Sequence, residues 1–210
     1  MKPTRLVHIF ITGFTALFVF ALLPQSGFAG QPVDPSTLNP PPNPLTTVCE
    51  KDGNQTICTL QFSNPPFAGG SGVICGTGPT AYEVFQFQNR SVIGKRYYDQ
   101  NGNLTRRHFR EILSGTFSNP LTHAAVSFDG KDTQLHDLTI PGDVSTGTVM
   151  ITGSFHIYLA KGGTVLFEAG RTIEAADGSA LISESGPHPF ADYFVFGNTA
   201  AVQPLCDALE

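Results

Sequence analysis

Along most of the chain, apolar and polar residues alternate with a period of two. In residues 148–159, Val149, Ile151, Phe155, Ile157 and Leu159 share one face with Gly153, while Thr148, Thr152, Ser154, His156 and Tyr158 share the other and Met150 is the one apolar exception. In residues 164–175 the apolar set is Val165, Phe167, Ala169 and Ile173, which this pattern assigns to the interior. Runs of this kind half-bury one face of an antiparallel sheet. Turn signals punctuate them: Asp52-Gly53-Asn54, Gly69-Gly70-Ser71-Gly72, Asn101-Gly102-Asn103, Asp129-Gly130-Lys131, Pro141-Gly142-Asp143 and Lys161-Gly162-Gly163. Helical periodicity is absent except in residues 200–209, which predict a short C-terminal helix limited by Pro204.

About ten short strands joined by hairpins predict an all-β fold, an antiparallel up-and-down barrel of about eight strands. A two-sheet β-sandwich is the alternative. The barrel is preferred because closure removes the exposed edges that so many apolar strands would present.

The first 29 residues differ from the rest. Lys2 and Arg5 precede an apolar run over 9–23, and Gly27-Phe28-Ala29 places small residues before a cleavage point after Ala29. This is the layout of a secretory signal peptide, and its run is short for a membrane span. Residues 30–45 carry six prolines. They predict an extended spacer, with 46–210 as a single β-barrel domain. The expected location is therefore extracellular, with no stable membrane anchor after cleavage.

Charged residues are 14% of the chain against a usual ~25%, and 12 Lys+Arg against 17 Asp+Glu give a net charge of −5. That balance argues against a nucleic-acid partner. It becomes more acidic once Lys2 and Arg5 are removed with the leader.

Four cysteines in an exported chain suggest two disulfides, with three possible pairings. If Gly53-Asn54 forms the centre of a two-residue hairpin turn, Cys49 lies opposite Cys58, within bridging distance. An Asp52-Gly53 turn would place Cys49 opposite Thr56 instead. The first arrangement is favoured, leaving Cys75–Cys206. A zinc site is the rival, but the chain has no CxxC spacing.

Several strings occur together: Val73-Ile74-Cys75-Gly76-Thr77-Gly78, Tyr97-Tyr98-Asp99, Gly102-Asn103-Leu104, Ser118-Asn119-Pro120-Leu121-Thr122, Ala169-Gly170-Arg171 and Gly186-Pro187-His188. On these the chain resembles a family of uncharacterised secreted proteins from actinobacteria and related soil bacteria, over roughly Cys49 to Leu209. The resemblance implies export, disulfides and a bacterial source, and no activity. In architecture alone, the length and meander are similar to allene oxide cyclase and dirigent barrels and to lipocalins.

Three residues are the catalytic candidates. Arg171 shares the register of Val165, Phe167, Ala169 and Ile173, where a guanidinium would clamp an anion inside a pocket or, past a bulge at Gly170, point to solvent. His156 and Glu168, on adjacent strands, would serve as general acid and base if they faced one polar cavity. Arg106, Arg107, His108 and Arg110 form the densest basic cluster, readable as an anion site or as a solvated strand paired with acids on its neighbour. His188 lies in a rigid Gly-Pro-His-Pro turn. His123 and His136 are isolated, no local spacing suggests a metal site, and no cofactor motif occurs.

The expected function is binding of a small, largely apolar ligand in the barrel mouth. The alternatives are an isomerase or cyclase, which requires Arg171, His156 and Glu168 to converge, and an interaction protein acting through its outer surface.

Overall fold

The computed structural model describes residues 30–43 and 47–210. The leader expected at residues 1–29 lies outside the described residues. Nine strands follow one another: β1 (Val48–Asp52), β2 (Gln55–Ser63), β3 (Phe67–Cys75), β4 (Tyr82–Tyr98), β5 (Leu104–Ser118), β6 (Ala125–Asp137), β7 (Thr148–Tyr158), β8 (Thr164–Ala175) and β9 (Leu181–Ser185). Two helices close the chain, α1 (Pro189–Phe196) and α2 (Gln203–Ala208), with a 3-10 turn over Thr199–Val202 between them.

All strands belong to one antiparallel sheet, ordered β1-β2-β4-β5-β6-β7-β8-β9, with β3 on the same side of β4 as β2. The 17-residue β4 serves both neighbours, pairing β3 over its first half and β2 over its second. The fold is therefore all-β and antiparallel, as the alternation predicts. Strand pairing among the described residues does not close the sheet on itself.

The sheet is nevertheless strongly curled. Five strand steps separate β3 from β8, about 24 Å along a flat sheet. Yet Val73 of β3 and Leu166 of β8 belong to one buried core with Phe117, Phe128 and Ile157. The C-terminal segment fills the gap between the two sides. Val202, Leu205 and Leu209 are buried in that core. Cys206 is bridged to Cys75 at the end of β3, and the Tyr193 hydroxyl accepts from Ile74 N–H at 3.0 Å. The buried Asn119 side chain donates to the Leu209 carbonyl at 3.1 Å, which holds the tail in place.

Both disulfides pair as expected. The β1–β2 register sets Asp52 opposite Gln55 and Cys49 opposite Cys58, so Gly53-Asn54 is the turn.

Three features depart from the sequence pattern. The Pro-rich segment does not stand off the domain over its described residues. Leu38 is buried with Cys49, Cys58, Tyr98 and Leu104 in a second core, and Tyr98 Oη donates to the Pro40 carbonyl at 3.0 Å. Prolines block a ladder but leave carbonyls free to accept, and the sheet end uses them. Secondly, Asp129-Gly130-Lys131 and Gly69-Gly70-Ser71-Gly72 lie inside β6 and β3. Gly130 is there because a Cβ would sit 2.8 Å from the Phe155 ring. Thirdly, α1 has no periodic signature because it is apolar nearly all round. It is defined instead by Pro189 in its first turn and by Gly197 at φ 69° after its last.

The longer crosslink holds the wall formed by the C-terminal segment. Replacing Cys75 and Cys206 by Ser, a separation of 131 residues, should cost about 4–5 kcal/mol in denaturant unfolding, against about 2–3 kcal/mol for the Cys49 and Cys58 pair nine residues apart.

Candidate functional site

A cavity of about 440 Å³ lies between the inner face of the sheet and α1. Register explains the space. On the inner face of β6, β7 and β8, one row across the sheet reads Asp132, Gly153, Gly170 and the next reads Gly130, Phe155, Glu168. Three of these six positions have no side chain. A Cβ at Gly153 would collide with the Lys131 carbonyl and stand 2.7 Å from Asp132 Cβ. Gly170 has φ +139°, where an L side chain is strained in any case.

One wall is aromatic. Phe117 and Phe128 stand 4.7 Å apart, Phe128 and Phe155 5.0 Å, and Phe155 meets Phe190 of α1 edge-on at 5.7 Å. Phe190 in turn stacks on Phe194, which lines the cavity and is 55% exposed, so the mouth lies along α1.

The polar groups come from β6, β8 and the turn before α1. Glu168 Oε2 accepts from the Phe190 N–H at 3.2 Å; Pro189 has no N–H, so this is the first amide that α1 can offer. Burial pushes the Glu168 carboxyl above its usual range, against the opposing pull of that amide and of His188. His188 is 7% exposed. Its Nε2 lies 3.0 Å from the Ser185 carbonyl, an acceptor only, so Nε2 carries the proton. In the neutral ring Nδ1 is then a lone-pair acceptor. It faces Glu168 Oε1 at 3.8 Å and has no hydrogen-bond partner.

Asp132 sits directly across from Glu111, with Arg90 on the strand beyond. Arg90 is committed to Glu111, its Nε donating to Oε2 at 2.9 Å and its Nη2 to Oε1. Asp132 is therefore a second carboxyl beside a pair that is already neutral. Burial, and then the Glu111 charge, push it up to about 6, and its Oδ1 is buried without a partner.

Of the three catalytic candidates, only Glu168 reaches the cavity. The β8 alternation runs opposite to the expected sense: Leu166, Glu168, Gly170 and Thr172 face inward, in register with Ile157, Phe155, Gly153 and Ile151. Phe167 packs outside against His156, ring centroids 6.1 Å apart. Arg171 is accordingly exposed on the outer face. His156 is also outside, its Nε2 2.9 Å from Thr164 Oγ1. The three do not converge.

The basic cluster on β5 is mostly structural. Arg106 pairs with Asp137 across the strands, and Arg107 donates from Nε to the buried His136 at 3.0 Å. His136 Nε2 in turn reaches the Thr146 carbonyl at 2.8 Å, clipping the loop before β7. Among the described residues, no three His, Cys, Asp or Glu side chains lie together as a metal site would need, and no helix is long and apolar enough to cross a membrane. Asp132 was hidden by the false turn at Gly130. His188 was visible only as a histidine fixed between two prolines.

Comparison with known protein families, with curated proteins and with solved structures finds no match to this chain.

The folded state holds the Asp132 proton up to about 6 while the unfolded chain releases it near 3.8, so folding loses stability as pH rises between those values. Asp132→Asn should therefore raise stability above about pH 7 by on the order of 1–2 kcal/mol, discounted for partial solvent contact, and the gain should vanish below about pH 4 in thermal unfolding scans. Arg90→Met should cost about 1–3 kcal/mol by denaturant titration, the buried-pair penalty discounted for the partly exposed guanidinium, because Glu111 and Asp132 then face each other without a counter-charge.

Proposed function

We propose that this is an exported protein that binds a small, largely apolar molecule in the cavity under α1. The cavity itself carries the reading. It has the size and character of small-molecule sites, an apolar and aromatic lining with a few convergent polar groups. Its mouth is bordered by exposed apolar residues of α1, Phe194 and Val195, which offer an entering apolar molecule a surface before it is enclosed. Two disulfides fit an oxidising compartment. The isomerase or cyclase alternative depended on Arg171, His156 and Glu168 sharing a pocket; with two of them on the outer face, it is not carried forward.

The chain has no Trp, so the fluorescence of an apolar dye is read against tyrosine alone. N-phenylnaphthylamine should brighten on adding the oxidised protein and saturate at one site. Ala191→Trp, which places an indole in the cavity wall, should abolish that signal while leaving cooperative unfolding intact. Undiminished binding to the variant, or none to the parent protein, would sink the reading.

A further inference from the structure

Among the described residues, two buried polar atoms of the cavity lining have no hydrogen-bond partner. Asp132 Oδ1 is buried without a partner, and so is His188 Nδ1, which is an acceptor when the ring is neutral because Nε2 then donates to the Ser185 carbonyl. Glu168 Oε1, on a partly buried side chain, lies 3.8 Å from that Nδ1. A single donor atom at about 2.9 Å from each can bridge Glu168 Oε1 and His188 Nδ1, because ordinary hydrogen-bond lengths span that gap from one side.

Among the described residues, no Lys or Arg answers these acceptors. Arg90 is paired with Glu111. Lys131 borders the cavity but is exposed on the outer face of β6. Buried acceptors without donors are costly, so a bound molecule that supplies N–H groups relieves that cost, and one that brings a second carboxylate adds to it.

The aromatic wall reinforces the same choice. Phe155 is the direct cross-strand neighbour of Glu168 on the inner face, and Phe190 contributes the amide that binds its other oxygen. A positive nitrogen seated at Glu168 therefore lies next to aromatic rings, whose faces attract cations.

We propose that the cavity selects amphiphilic amines, molecules with an aromatic or alicyclic body and a protonated nitrogen that docks between Glu168 and His188. Asp132 supplies a further acceptor from the β6 side. The proposal rests on the cavity reading above and narrows it from apolar molecules in general to cationic ones. Fatty acids and other apolar anions are disfavoured by the same geometry.

Three probes of one shape test it: naphthylmethylamine, naphthylmethanol and naphthoic acid, titrated calorimetrically into the oxidised protein at neutral pH. The amine should bind at least about tenfold more tightly than the alcohol, and the acid more weakly than either. Glu168→Gln should reduce the amine to within about twofold of the alcohol and leave alcohol binding unchanged. If that variant fails to unfold cooperatively, Asp132→Asn, which the electrostatics predict to be a more stable protein, should lower amine affinity selectively. Alcohol or acid binding as tight as the amine overturns the amine proposal and leaves the apolar cavity standing. No binding by any of the three overturns both.

Discussion

The structure depends on the tail that bridges an unclosed sheet. Nine antiparallel strands curl until β3 and β8 face a common core, but they do not pair across the gap. Left open, that gap would expose the inner face that Phe117, Phe128 and Phe155 supply. The C-terminal segment covers it with Val202, Leu205 and Leu209, and the Cys75–Cys206 bridge ties it to one side. On the other side α1 begins where Glu168 of β8 accepts its first free amide. Packing, crosslink and capping thus converge on the same twenty residues. They also determine where the cavity is, because α1 is its outer wall.

The cavity follows from register as much as from composition. Successive strands place Gly130, Gly153 and Gly170 on the inner face, and the rows around them carry Asp132, Phe155 and Glu168. A sheet packed entirely with large side chains would leave no such volume. The same glycines bring backbone and side chains of neighbouring strands too close for a Cβ, so cavity and close strand approach share one cause.

Much of this was legible in the sequence, though unevenly. The period-two alternation predicted an all-β antiparallel fold, and a Gly53-Asn54 turn favoured the Cys49–Cys58 pairing that the structure has. In β7 the alternation also identified the inner face correctly, with Val149, Ile151, Phe155 and Ile157 in register with the inner positions of β6 and β8. In β8 it failed, because apolar residues occupy both faces. Phe167 and Ile173 pack outside while the inner positions hold Glu168, Gly170 and Thr172, residues whose polarity belongs to the cavity and not to the core. A site that replaces core residues with polar ones inverts the very pattern used to find the core. That inversion is why Arg171 reads as interior, whereas His156 lies on the outer face that the β7 alternation gives it; of the three, Glu168 alone lies in the cavity. Asp132 and His188 depended on tertiary neighbours, Glu111 across the strand and the Ser185 carbonyl behind the ring, that no local spacing encodes.

The proposal that binds these features together is a cationic nitrogen seated under α1 between Glu168 Oε1 and His188 Nδ1. A crystal structure of the oxidised protein grown with naphthylmethylamine tests it most directly. The expected result is the amine nitrogen within hydrogen-bond distance of both Glu168 Oε1 and His188 Nδ1, with the naphthalene against Phe155 and Phe190. A nitrogen directed away from both atoms, or a cavity closed by repacked side chains with the amine elsewhere, would contradict it.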